Sequence, residues 1–237
     1  MAGREAPFVA ENEQLRVVVA DNDAGVCELV QAILTDEGYD VVALAQTDHD
    51  SIAEAVGQIE PDCILLDGAQ GSAFGDSWGV AAYLASRERP VPAIMFTAHT
   101  NAVREAQEMT SPRASAAKFA AVIGKPFDID GLLEAVAEAT GRSVRWDSSE
   151  AADDRRTAQL ANELRAAGAI DVRTSKRREW ATFKSPTDHY IYQLYWWQKL
   201  GRYIVGRYDD KAHLDIVGQF FERRDAITSS LDSSLVA

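Results

Sequence analysis

Five short apolar runs alternate with helix-like segments through residues 15–142, and that alternation leaves few folds open. The runs are RVVVA, YDVVALA, DCILLD, AIMFTA and AAVIGKP. Unbroken stretches rich in β-branched residues suit strands covered on both faces. Between the first two, AGVCELVQAILTDEG places Val26, Leu29, Val30, Ile33 and Leu34 on one helical face, with Gly38 as the stop. DHDSIAEAVGQIEP, SWGVAAYLASRER, NAVREAQEM and DIDGLLEAVAEATG read as further helices, with Pro61 marking a boundary. Strand–helix units in series build a doubly wound, five-stranded parallel α/β sheet with helices on both faces.

In an open sheet of this kind, ligands bind beyond the carboxyl ends of the strands. Asp21 ends the first run, Asp67 the third, Thr97 the fourth and Lys125 the fifth. Two carboxylates, a hydroxyl and an ammonium converging on one crevice suit phosphoryl chemistry. Neighbouring carboxylates raise one another's pKa unless a cation relieves them, and a hard cation such as Mg2+ takes oxygen ligands. One carboxylate can then attack a phosphoryl donor to give an aspartyl phosphate, while lysine and metal neutralise the transferring group. Each residue alone has a plainer reading: Asp67 as a turn cap, Thr97 as a partner for backbone groups, Lys125 as a surface residue. Asp23 likewise reads as the N-cap of the first helix. Only the joint pattern favours a site.

Residues 15–142 resemble the receiver domain of two-component response regulators. VVVADND, PDCILLDG, IMFTA and IGKPFDIDGLLEAV carry the resemblance, in order and on matching elements. It implies a flavodoxin-like fold and a switch that accepts a phosphoryl group; the rest of the chain, read by its own motifs, shows no separate catalytic output. It makes Asp67 the phosphoacceptor, Thr97 the switch hydroxyl and Lys125 the phosphate-binding lysine. It places Mg2+ on Asp21, Asp67 and the backbone carbonyl of Ala69, with Asn22 as a further contact. A histidine kinase or phosphotransfer protein is the implied donor, and the Lys125–Pro126 bond is expected to be cis. The chain also departs from the family's pattern. Asn22 stands where a second carboxylate is usual, which weakens the expected hold on Mg2+. Val122 occupies the aromatic switch position, with Phe119 as a displaced substitute. QEMTSPRASAAKF (107–119) is longer than the usual fourth-helix region, and Pro112 breaks it. GAQGSAFGDSWG, after Asp67, is rich in glycine and lacks the common Met-Pro. These departures keep open a phosphorylation-independent scaffold.

Charge separates the two halves. Residues 1–144 carry a net −14 and residues 145–237 a net +1, with a local +7 over 155–208. Such asymmetry suggests two modules with different partners. Residues 1–14 read as a polar tail, 143–154 (with the Ser/Asp-rich RWDSSEAADD from 145) as a linker, 155–228 as a small α+β domain and 229–237 as a loose tail. RRTAQLANELRAAG reads as an amphipathic helix; EWATFK, YIYQLYWW and RYIVGRY read as strands of an antiparallel sheet. Gly201 turns the last pair, and DDKAHLDIVGQFFERRDAI is expected to close as a helix capped by Asp209 or Asp210. This half matches no output domain by its motifs. Its basic and aromatic residues, Arg173, Lys176, Arg177, Arg178, Trp196 and Trp197, are candidate contacts for a protein partner, a second copy or nucleic acid. A DNA-binding regulator therefore stays among the alternatives. His189 and His213 lack metal-ligand spacing. An acidic receiver could also dock on this basic module and release it on phosphorylation. No apolar segment is long enough to cross a bilayer, and MAGREAPFVAENEQL lacks the order of a signal peptide, so a cytoplasmic protein with no membrane insertion is expected. Cys27 and Cys63, both in buried elements, are expected to stay free thiols.

Overall fold

The computed structural model describes residues 14–45, 49–68, 77–109, 111–142, 150–175, 178–188 and 190–231. The first half runs β1 (Arg16–Ala20), α1 (Ala24–Asp36), β2 (Asp40–Leu44), α2 (His49–Ile59), β3 (Cys63–Asp67), α3 (Ser77–Ser86), β4 (Ala93–Thr97), α4 (Thr100–Glu108), α5 (Pro112–Ala117), β5 (Ala121–Gly124) and α6 (Ile129–Ala139). Its strands pair in the order β2-β1-β3-β4-β5, all parallel. This is the expected flavodoxin-like sheet. Alternation along each strand splits the core in two. Val17, Val19, Leu65 and Phe96 face α1 and α6, whereas Val18, Ala20, Leu66 and Met95 face the layer formed by α2 to α5.

The long segment before β5 folds into a short helix of its own. Ser111 caps α5 by accepting from the Ala114 N–H at 3.2 Å, and Pro112 sits in its first turn, where a missing N–H costs nothing. Arg113 then reaches back to Glu105 through two hydrogen bonds and lies 4.6 Å over the Trp78 ring.

The second half runs α7 (Glu150–Ala166), β6 (Ile170–Thr174), β7 (Trp180–Lys184), β8 (Ile191–Trp197), β9 (Arg202–Tyr208), β10 (Leu214–Phe220) and α8 (Arg223–Leu231). The five strands form an antiparallel meander. Two elements correct the sequence reading. The helix expected over residues 209–227 is β10 followed by α8, because Leu214 and Ile216 alternate at the strand period and a bulge follows before Gly218. Asp209 caps no helix. It holds the β9–β10 turn, accepting from the N–H groups of Lys211 and His213, each at 2.8 Å. β6 is the other strand that the patterning did not reveal. It is short and irregular, with Asp171 at φ 53°. The helix read over RRTAQLANELRAAG begins earlier, at Glu150, inside the expected linker, and α8 ends at Leu231, inside the expected tail. Residues 1–13, 143–149 and 232–237 lie outside the described residues.

The antiparallel sheet has two dry faces. Phe183, Tyr192, Leu194, Tyr203 and Val205 pack on Leu160 and Leu164 of α7 and Ala226 and Ile227 of α8. Arg223 fastens this side, pairing with Glu179 at 2.6 Å and Glu163 at 3.4 Å, while the Tyr203 hydroxyl donates to Glu179 at 2.6 Å. The opposite face carries Trp180, Tyr195, Ile204, Tyr208 and Leu214, which share one continuous core with α1 and α6. The molecule is therefore five layers deep: α2–α5, parallel sheet, α1 and α6, antiparallel sheet, α7 and α8.

Candidate functional site

The site forms where β1, β3, β4 and β5 end side by side. Parallel pairing places the end of β1 next to β3, and sets Asp67 opposite Phe96 and Thr97 opposite Gly124. Lys125 follows at once, its N–H donating to the Thr97 carbonyl at 2.8 Å, and its bond to Pro126 is cis, as expected. The Lys125 ammonium lies between two carboxylates, 2.6 Å from Asp21 Oδ2 and 3.1 Å from Asp67 Oδ1. Thr97 is fully buried; its hydroxyl donates to the Gly68 carbonyl at 3.3 Å and accepts from the His99 N–H at 3.1 Å. Ser77, at the start of α3, donates to the Asp67 carbonyl at 2.7 Å and so fixes the peptide that carries the acid. Sequence reasoning missed Ser77.

Burial raises the Asp21 carboxyl to about 6, with the neighbouring Asp67 adding to the rise and Lys125 opposing it. Burial also acts to lower Lys125, but the two carboxylates outweigh it and the ammonium ends above its usual range. Among the described residues no group of three or more His, Cys, Asp and Glu could form a closed metal cage. Two carboxylates still fit Mg2+, which binds through one or two of them and keeps several waters. Asn22 is exposed beside them, and Ala69 lies outside the described residues.

Phe119, two residues before β5, packs against the core on the α2–α5 side. It meets Trp78 edge-on, with ring centroids 5.4 Å apart, and Val122 is a half-buried member of the core on that side. Both cysteines are buried and free.

The candidate partner contacts divide. Arg173 is exposed. Arg178 is committed to an ion pair with Glu37, just beyond α1. Trp196 packs on Tyr203 at 4.7 Å, and Trp197, on the opposite face, packs against the core shared with α1. Lys176, Arg177 and His189 lie outside the described residues, and His213 is exposed beside Asp209. Of these, Arg178 and Trp197 join the two halves, and Trp196 packs within the second.

The sequence reading raises docking of the acidic half on the basic one but leaves unnamed the α1 residues that make the junction. Asp36 accepts from the Tyr195 hydroxyl at 2.7 Å and from the backbone N–H groups of Gln198 and Lys199 at 2.8 and 3.2 Å. Gln219 donates to Glu28, and Ser175 to Asp130. Two signals for it were present. Asp36 and Glu37 put negative charge at the C-terminal end of a helix, where the macrodipole disfavours it. The buried positions of α1, Val26, Cys27, Leu29, Val30, Ala32, Ile33 and Leu34, also span more than half its circumference, too wide for a helix that covers a single sheet.

Comparison with known proteins supports the parallel half and is silent on the rest. Among the described residues, no helix is long and apolar enough to cross a membrane. No curated protein matches the chain. Similar solved structures include the receiver domain of NtrX from Brucella abortus, 26% identical, covering 54% of this chain and 99% of that one with a TM-score of 0.45. They also include the chemotaxis response regulator CheY4 of Vibrio cholerae, 18% identical, covering 53% and 98% with a TM-score of 0.44. The signal receiver domain of a modulated diguanylate cyclase from Desulfovibrio desulfuricans G20 is 20% identical, covering 55% and 96% with a TM-score of 0.45. The family model for the response regulator receiver domain matches residues 17–137, just over half of the chain, and spans all four strand ends that build the acid–lysine cluster. By that match the chain belongs to the response regulator receiver family.

Proposed function

We propose that this chain is a two-component response regulator in which Asp67 accepts a phosphoryl group and residues 155–228 form the output. Receiver domains generally bind Mg2+ at their acidic site and interact with histidine kinases or phosphotransfer proteins, and the donor proposed here is one of these. The observation that carries the reading is the Lys125 ammonium held between Asp21 and Asp67 at 2.6 and 3.1 Å, at the carboxyl edge of a parallel sheet.

The chemistry follows from these positions. The Asp67 carboxylate attacks phosphorus, the new O–P bond forms, and the donor's leaving group departs on the opposite side. Lys125 moves from a carboxylate partner to the incoming phosphoryl oxygens, neutralising charge as it develops. Thr97, hydrogen-bonded to Gly68 directly after Asp67, turns its hydroxyl from the Gly68 carbonyl to a phosphoryl oxygen. Mg2+ held by Asp21 and Asp67, with the Ala69 carbonyl, supplies further charge neutralisation when bound. Asn22 offers an oxygen without a charge, so this site holds the metal more weakly than a site with a second carboxylate there. The output is read as protein-binding, a second copy included, in a cytoplasmic setting. Commitment of Arg178 and both tryptophans to internal contacts favours this over nucleic-acid binding.

Intact mass after incubation with acetyl phosphate and Mg2+ tests the reading. A gain the size of one phosphate, absent in Asp67→Ala, is expected. No gain in the unaltered chain would overturn it in favour of a constitutive scaffold.

A further inference from the structure

We infer that Asp23 is a positioning residue that joins the phosphorylation site to the antiparallel sheet, so that loading the site and seating β10 on α1 form one linked equilibrium; this rests on the proposed phosphoryl acceptance at Asp67. All polar groups of Asp23 that bear on the junction are engaged. Its N–H donates to Asp21 Oδ1 at 2.9 Å. Its Oδ1 caps α1, accepting from the Gly25 and Val26 N–H groups at 2.9 and 3.2 Å. Its Oδ2 accepts from the backbone N–H of Leu214, the first residue of β10. Because Asp21 Oδ2 is paired with Lys125, an unbroken polar chain runs Lys125–Asp21–Asp23–Leu214.

The far end of that chain has no slack. A Cβ at Gly25 would lie 1.8 Å from the Leu214 carbonyl oxygen, so the α1 and β10 backbones touch. A Cβ at Gly206, in the neighbouring strand, would lie 2.6 Å from the Leu214 side chain. Leu214 pairs with Tyr208 in the sheet, and the buried Tyr208 hydroxyl donates to Gln193 at 2.8 Å. The Leu214 peptide is thus gripped at its N–H by Asp23 and packed at its carbonyl by Gly25. A phosphoryl group on Asp67, and a cation on Asp21, changes the charge that Asp21 presents to the Asp23 N–H. The Asp21–Asp23 segment cannot adjust without moving Leu214 or releasing it. Linkage makes the effect mutual: whatever factor loading applies to this seat, unseating applies to loading.

Hydrogen exchange on the full chain, with Mg2+ and beryllofluoride as the phosphoryl mimic, tests this. Peptides covering 121–127 report loading, those covering 208–216 report the seat, and 155–166 serves as reference. In the unaltered chain, the mimic is expected to change exchange over 208–216 by about fivefold or more, with the reference unmoved. Asp23→Asn keeps the size of the side chain but turns a donor toward Leu214, and Gly25→Ala pushes on its carbonyl. Both are expected to keep a response at 121–127, shift the mimic's apparent affinity and lose the response at 208–216. Arg178→Ala, at the other end of the junction, is expected to keep both responses. Loading at 121–127 with 208–216 unmoved in the unaltered chain would overturn the inference and leave the proposed function standing. A full 208–216 response in Asp23→Asn would also overturn it. No response at 121–127 in the unaltered chain would overturn the proposed function and the inference together.

Discussion

The two sheets of this molecule are covered in different ways. The parallel sheet is covered on both faces by helices from its own stretch of chain, α1 and α6 on one side and α2 to α5 on the other. The antiparallel sheet supplies only one of its covers, α7 and α8, and takes the other from α1 of the preceding domain. One sheet is closed by local sequence and the other by residues more than a hundred positions away. The first sheet finds its covers within its own stretch of chain, whereas the second shares a core with the first.

Cutting the chain is the largest test of that difference. Residues 14–142 alone are expected to unfold cooperatively, with a raised tendency to self-associate because the outer face of α1 is bare. Residues 150–231 alone are expected to show neither a cooperative transition nor dispersed amide resonances. A folded, monomeric 150–231 fragment would break the comparison. Trp180→Ala, which empties a buried position in the shared core, is expected to cost the whole chain about 3–5 kcal/mol in denaturant unfolding. A loss confined to the antiparallel sheet, with the parallel half unfolding as before, would show two cores where the structure has one. Asp36→Ala leaves the Tyr195 hydroxyl and two N–H groups without their acceptor and is expected to cost about 1–3 kcal/mol.

A pH series sharpens the contrast from the other side, because the strand ends of the parallel sheet hold a charge at a cost. Asp21 binds its proton more tightly when folded, its carboxyl being raised to about 6 from 3.8. Its ionisation therefore removes stability as pH rises through that interval. In metal-free buffer the melting temperature of Asp21→Asn relative to the unaltered chain is expected to climb between about pH 4 and pH 6 and then level off. A flat difference would mean that Asp21 is not strained by burial. The smallest effect belongs to Arg178→Ala. Its ion pair with Glu37 is partly exposed and is expected to contribute less than about 1 kcal/mol, fading further in salt.

The same contrast explains what could be read from the sequence. β1, β3 and β4 are buried on both faces, so their apolar runs announce themselves, and the residues at their ends could be named before any coordinates. Lys125, Asp21 and Asp67 meet as expected because parallel strands in register must end together. β10 was read as part of a helix because its inward residues, Leu214 and Ile216, are few and a bulge interrupts the alternation. The role of Asp23 was only half legible. Its cap on α1 is local and carries a sequence signature, but its bond to Leu214 spans 191 positions, and no local pattern encodes it. Tyr192 and Tyr195 lie on opposite faces of β8, in different cores. Which layer each would meet depended on a partner surface in the other half of the chain.

The separation between Asp23 and Leu214 also sets a clock during synthesis. At ribosomal speeds, the 191 positions from Asp23 to Leu214 take roughly 10–40 s to be made. The receiver half is complete only once residue 142 is made; from then until Leu214 emerges it can fold, yet it presents an uncovered apolar helix with two acids at its end. The newborn chain is therefore expected to be most exposed to misassociation after its acid–lysine cluster has formed and before its last strand has emerged, so that the pace of translation through 150–231 affects how this protein reaches its native state.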